Sequence, residues 1–303
     1  MNRKNFLKNL GLLATGVAAS GTGLVSFSGV MLSCSQQTQT KRKIIGLQVY
    51  SVRQLLSEDV PSTLKGLAEC GYLALEGFGY NRETGYFNTP INDFDKMVKD
   101  LGMKITSSHL SARYTPETKS EALDWWKEIA DKHKAIGCNT MVIPSLPSQR
   151  GVPMDVSYLD NLCTYINEVN VIAKERGMRL GFHNHAADER PLENGKIILD
   201  YLIEKTDPTF FIQLDNHNMM TAGRDPIEFL NQYNTRIKVL HVKDDDIIGA
   251  SGRVDFQQLF TTAAQYNIYE PIVEIERYPV APMECMCRSH AFLNDASYVQ
   301  YYG

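Results

Sequence analysis

The chain has 303 residues, 22% of them charged, and a formal net charge of −4. The balance falls to about −7 once Arg3, Lys4 and Lys8 leave with a leader read over residues 1–33, which excludes the basic surface that nucleic-acid binding needs. Six cysteines without framework spacing argue against a disulfide-stapled scaffold.

The leader comes first in chain order. The three cations open it, and residues 11–32 are uncharged and rich in Ala, Gly, Leu and Val, as in a secretory signal. Met31-Leu32-Ser33-Cys34 resembles a bacterial lipobox with Met31 in the usual Leu position, so Cys34 is expected to be lipidated and to start a tether over 34–42. Asn2-Arg3-Lys4-Asn5-Phe6-Leu7-Lys8 resembles a twin-arginine signal with Lys4 replacing the second Arg, so both export routes stay open. The expected location is exported: a periplasmic or cell-surface lipoprotein held to the membrane at Cys34.

From residue 43 onward, strand-like and helix-like segments alternate. A strand at 44–49 precedes a helix at 60–70 closed by Gly71. Strand 73–76 and helix 91–101 follow, closed by Gly102, then strand 104–108 and helix 119–136, closed by Gly137. Strand 139–143 leads to helix 157–176, stopped by Gly177. Glycine just past a helix accepts the left-handed backbone of a cap. The runs 179–185, 211–215, 237–241 and 271–276 supply strands five to eight, with helices near 195–204, 226–233, 254–266 and 282–293.

Eight alternations with no linker or low-complexity tract predict an α/β single-domain (β/α)8 TIM barrel over 43–303. An open doubly wound sheet would need a glycine-rich turn after the first strand, where the chain has Tyr50-Ser51-Val52-Arg53. Trp125 and Trp126 read as packing between helix and barrel. Cys70, Cys138 and Cys163 read as buried thiols, and Cys285-Met286-Cys287 as helix packing.

In such a barrel the carboxyl ends of the strands face the reaction. Those positions hold Gln48 and Tyr50, Glu76, His109, Pro144, His183 and His185, Asp215 and His217, His241 and Lys243, then Glu274 and Glu276. The last residues of strands five to eight can bind a metal. A mixed imidazole and carboxylate set suits one divalent ion, Mn²⁺, Co²⁺, Zn²⁺ or Fe²⁺, better than Ca²⁺. Alternation puts His185 on the face of His183 and Glu276 on that of Glu274, so either member of each pair can be the ligand. No Ser or Cys has a plausible triad, which argues against a covalent hydrolase. Tyr50, Phe78, Tyr80 and Tyr278 can wall a sugar site.

Gly46-Leu47-Gln48-Val49-Tyr50-Ser51-Val52-Arg53, Gly181-Phe182-His183-Asn184-His185, Gln213-Leu214-Asp215, His241-Val242-Lys243-Asp244 and Val273-Glu274-Ile275-Glu276 resemble the sugar isomerase/epimerase group of the xylose isomerase-like barrels. The resemblance runs from about residue 43 to the end. It implies a metal held by Glu, Asp, His and Glu on strands five to eight, which map onto His183, Asp215, His241 and Glu274. Imidazole thus replaces the strand-five carboxylate, which bears on an epimerase mechanism in which two glutamates exchange the proton. Some relatives cleave oxidised glycosides, where a 3-keto group acidifies the C2 hydrogen and the aglycone leaves from C1.

The expected function is metal-dependent proton abstraction next to a sugar carbonyl, with His109, His185, Lys243, Glu276 and Glu76 as the acid/base candidates. The exported location favours β-elimination on 3-keto-glycosides. The alternatives are a sugar isomerase or epimerase and a noncatalytic sugar-binding lipoprotein, while an acidic chain disfavours a metal nuclease. Cys34→Ser should abolish acylation and release the protein from membranes on fractionation, since each buried CH₂ of a lipid chain contributes about 0.8 kcal/mol of anchoring. Continued sedimentation of the variant with membranes, after cleavage elsewhere in the leader, contradicts the lipobox.

Overall fold

Nearly every strand residue is buried, so the sheet is covered on both faces, the condition under which parallel strands occur. The computed structural model describes residues 43–148 and 153–300; the leader, Cys34 and the tether lie outside the described residues. In chain order the elements are β1 (Gly46–Gln48), α1 (Arg53–Glu58), α2 (Val60–Cys70), β2 (Ala74–Gly77), α3 (Ile91–Asp100), β3 (Lys104–His109), α4 (Lys119–Ala135), β4 (Thr140–Ile143) and α5 (Val156–Glu175). They continue as β5 (Arg179–His183), α6 (Ile198–Lys205), β6 (Phe211–Asp215), α7 (Asn216–Thr221), α8 (Pro226–Tyr233), β7 (Ile237–Val242), α9 (Phe256–Gln265), β8 (Pro271–Val273) and α10 (Pro282–Asp295). The strands pair in parallel in sequence order and β8 closes on β1, the expected TIM barrel.

Local signals account for the boundaries. Asp59 caps α2 by accepting from the Ser62 amide at 2.9 Å, with Pro61 in its first turn. Gly71 ends that helix at φ 104°, where an added Cβ would sit 2.6 Å from His290 Cε1, so no other residue fits without movement. Two strands stop earlier than their apolar runs suggested. β5 ends at His183 and β8 at Val273, because beyond the rim the chain leaves the ladder and turns toward the next helix. The short helix α7 was not anticipated; it starts where Asp215 accepts from the Asn218 amide at 2.7 Å.

Alternation sorts the barrel interior into layers. Val142, Phe211, Val239 and Ile272 form an apolar plug separate from the main core. Phe211 has space because β5 carries Gly181 opposite it, and any Cβ there would strike the ring. The main core lies between the strands and the helices and includes Trp126, whose Nε1 donates to Tyr165 Oη at 2.7 Å. One residue along the interior face beyond the plug, Gln213, His241 and Glu274 begin a polar layer. Register shifts after Leu75 and after Ile212 pair Glu76 with Ser107 and Asp215 with His241, drawing the ionisable groups into the same layers.

The reading of the cysteines needs correction. Cys70 at the end of α2 and Cys287 in α10 form a disulfide across 217 residues, with Cα atoms 4.6 Å apart, while Cys138, Cys163 and Cys285 are buried free thiols. The two partners come together only when the last helix packs beside the second, which sequence spacing cannot show. Replacing both by Ala should cost about 2–4 kcal/mol of unfolding free energy in denaturant titration, since the bond closes a very long loop. An unchanged midpoint in the double variant contradicts a native disulfide.

Candidate active site

Beyond the apolar plug, the carboxyl ends of the strands gather the sequence-predicted residues, each delivered by its strand. Ring nitrogens of His183 and His241 and carboxylate oxygens of Asp215 and Glu274 all lie within 4.8 Å of one another, and all four residues are buried. A second group, His109, His183 and His241, shares two of these residues. His183 Nε2 is 3.8 Å from Asp215 Oδ2, and His241 Nδ1 is 3.5 Å from Glu274 Oε2. Nδ1 of both His183 and His241 is buried with no hydrogen-bond partner. An orphaned His241 Nδ1 facing Asp215 and Glu274, with His183 Nε2 beside Asp215, fits a bound divalent cation. The grouping separates the paired alternatives by place: His183 and Glu274 lie within it, His185 and Glu276 outside it.

The remaining candidates lie above and below this group. Lys243 Nζ is buried, 2.9 Å from Glu276 Oε1, 3.4 Å from Glu274 Oε2 and 3.9 Å from Asp215 Oδ2. Glu276 and His185 are exposed at the rim, and the His185 ring stands edge-on to that of His183 at 4.8 Å. Glu76 is fully buried below, accepting from Gln48 Nε2 at 2.8 Å, Ser107 Oγ at 2.6 Å and Gln213 Nε2 at 2.8 Å. His109 lies beside it, with Nε2 2.9 Å from Glu76 Oε1. His217 points away from the group to Asp245. Of the aromatic residues expected to wall a sugar site, Tyr50 and Phe78 meet edge to face at 4.7 Å, while Tyr80 packs on Tyr86 and His133.

The charge balance of the site is negative. Glu76, Asp215 and Glu274 are buried carboxylates, and Lys243 is the buried ammonium among them, so with neutral imidazoles two negative charges stay unbalanced. Burial alone would lower His241, yet Glu274 and Glu76 raise it to about 10. Desolvation raises Asp215 to about 6 despite Lys243 and His241. Burial, with the like-charged His241 and His109 nearby, holds His183 well below its ordinary value. Burial works against ionisation of Glu274, but His241 and Lys243 outweigh it and lower its pKa.

Sequence reasoning passed over a set of amides. Asn184 Oδ1 accepts from the Asp215 backbone amide at 2.8 Å, and Asn216 Oδ1 from that of Lys243 at 3.0 Å while its Nδ2 donates to the Lys243 carbonyl at 2.9 Å. Each ties one strand end to the next and fixes the backbone that carries a charged residue. The signal was present, since both are amides at strand ends within otherwise ligand-rich motifs. A cavity of about 590 Å³ opens at the opposite, amino-terminal end of the barrel, lined in part by Ala74, Thr106 and Arg179. It contains none of the candidate residues, so chemistry and not volume locates the site.

The profile of the xylose isomerase-like TIM barrel matches residues 64–292. The chain belongs to that family. A crystal structure from Parabacteroides distasonis ATCC 8503, described as a sugar phosphate isomerase/epimerase, is 33% identical and covers 87% of this chain and 97% of its own, with a TM-score of 0.79. Inosose dehydratase of Clostridium perfringens (strain 13 / Type A) is 24% identical over 267 residues, 74% of this chain and 87% of its own. D-psicose 3-epimerase from Clostridium cellulolyticum H10, solved with D-tagatose, has a TM-score of 0.66 over 86% of this chain and 100% of its own; at 14% identity it shares the fold alone.

A cation in this site must displace protons, which sets its pH dependence. Between about pH 6 and 9 binding should release one proton, that of His241, and below about 6 a second, that of Asp215. Apparent affinity should therefore fall as pH falls, more steeply below about 6, in titration calorimetry across buffers. Asp215→Asn, which keeps an acceptor for the α7 cap, should lose bound metal in elemental analysis while Glu284→Ala on α10 retains it. Full occupancy in the Asp215 variant removes it from the ligand set.

Proposed function

We propose that the protein is an exported, divalent-metal-dependent enzyme of the sugar lyase or isomerase/epimerase type, and that its reaction is β-elimination on 3-keto-glycosides. The observation that carries the reading is the pairing of a buried His/Asp/Glu group fit for a cation with acid/base side chains at the rim above it: His185 and the Lys243–Glu276 pair. A sugar-binding protein without turnover has no use for the second set.

The bound cation would supply Lewis-acid polarisation of the substrate carbonyl. His183, Asp215, His241 and Glu274 would hold it. His185 or Glu276 takes the C2 hydrogen as a proton, and the electron pair moves onto the adjacent 3-keto group to give an enediolate. Desolvation lowers the pKa of His185, so its imidazole is neutral and basic near pH 7. Lys243, raised by Glu274, Asp215 and Glu276 despite its burial, stays cationic and offsets the developing negative charge. When the pair returns, the C1–O bond breaks, and a rim acid protonates the departing aglycone oxygen.

Two features favour elimination over epimerisation. Strand five carries His183 where the epimerase pattern has a carboxylate, so the site lacks a matched pair of glutamates to exchange one proton. Several relatives bear the name inosose dehydratase, and a dehydration is an elimination. The likeness to the Parabacteroides distasonis protein keeps isomerase chemistry as the second reading. The Cys70–Cys287 bond suits an oxidising compartment and supports the exported location.

Metal-loaded protein should release aglycone from 3-keto-glycosides in deuterium oxide, read by mass analysis. Deuterium in recovered free ketoses without aglycone release replaces the lyase reading with the isomerase one. His185→Ala or Glu276→Gln, whichever removes the base, should lower turnover by about 10²–10⁴-fold with metal content unchanged.

A further inference from the structure

Glu76 lies within hydrogen-bond distance of two of the three clustered imidazoles. Its Oε1 lies 2.9 Å from His109 Nε2 and 3.1 Å from His241 Nε2, while Oε2 accepts from Ser107 and Gln213. An ionised carboxylate only accepts, so each imidazole presents an N–H to it. For His109 the assignment is doubly determined, because Nε2 also lies 2.9 Å from Gln213 Oε1, the acceptor end of an amide whose nitrogen donates to Glu76. Neutral imidazoles with the proton on Nε2 carry their free lone pair on Nδ1. In His241 that Nδ1 is the buried orphan facing Asp215 and Glu274. His109 is held the same way, and one of its ring nitrogens lies within 4.8 Å of those of both His183 and His241.

We infer that His109 is a further metal ligand, and that Glu76 is a positioning residue that sets the tautomer of His109 and His241 together. The donors then form two overlapping groups that share His183 and His241, one adding His109 and the other adding Asp215 and Glu274. Such nitrogen-rich donors favour Co²⁺, Zn²⁺ or Fe²⁺ over Mn²⁺ and Mg²⁺. A carboxylate behind a ligating imidazole is a recurring way to orient the ring and raise its basicity, and here one carboxylate serves two rings. The inference rests on the cation reading of the four-residue group and is independent of whether the reaction is elimination or isomerisation.

The test uses Co²⁺ as the probe with metal-free full-length protein. In wild type, bound Co²⁺ should give visible d–d absorption, and ¹⁵N NMR should show the His109 Nδ1 resonance shifting on addition of Zn²⁺. His109→Gln should change the d–d spectrum, weaken Co²⁺ binding more than about tenfold and narrow the preference for Co²⁺ over Mn²⁺. Glu76→Gln should weaken binding by about 10–100-fold while keeping a spectrum of the wild-type class, as expected for a group that acts through the ligands. An unchanged spectrum and affinity in His109→Gln, or a His109 resonance unmoved by Zn²⁺ in wild type, overturns the assignment and leaves the four-residue site standing. Wild type that binds neither ion removes both. The NMR measurement decides the matter without a variant, should either substitution prevent folding.

Discussion

Three carboxylates, Glu76, Asp215 and Glu274, are buried within the barrel, and the surrounding structure is arranged around that charge. An ionised group taken out of water is costly unless it is paired and hydrogen-bonded. Glu76 meets the requirement with donors on both oxygens. Glu274 meets it with His241 and Lys243, and Asp215 with the first turn of α7 and the Asn218 side chain at 2.8 Å. These partners hold each carboxylate in place without neutralising the group. The negative charge left over beyond Lys243 explains why His241 binds a proton so firmly, and why the site suits a divalent ion.

The apolar plug gives this charge its setting. Val142, Phe211, Val239 and Ile272 fill the barrel beneath the polar layer and exclude water from below, so the electrostatic field of the group acts toward the open end. Asn184 and Asn216 hold the strand ends in register at the level where Asp215 and Lys243 emerge. Rigid floor, stitched rim and exposed acid/base groups form successive levels of one site. The use of histidine on strand five fits this arrangement, since another carboxylate there would add to a charge already in excess.

Much of the site was legible in the linear chain because strand alternation is a local property. His183, Asp215, His241 and Glu274 each end an apolar run, and a parallel barrel brings the ends of such runs together whatever lies between them. The same rule could not rank His183 against His185 or Glu274 against Glu276, since members of each pair share a face. The point at which each strand leaves the ladder separates them, placing one residue within the cluster and the other at the rim. Glu76 shows the opposite limit. As a strand-end carboxylate it read as an acid/base candidate, but its depth below the reacting face depends on the register shift between β2 and β3.

The sequence by itself determined the alternation of eight strands and helices, the helix stops at Gly71, Gly102, Gly137 and Gly177, and the identity of the residues at the catalytic end, because these follow from periodicity and backbone preference within a few residues. The tertiary structure alone decided which of those residues touch. It joined Cys70 to Cys287 across 217 residues, turned His109 and His241 onto one carboxylate, and set Asn184 and Asn216 as ties between strands. Such contacts depend on barrel closure, strand register and helix packing, which arise from the whole chain at once and leave no local trace in any one segment.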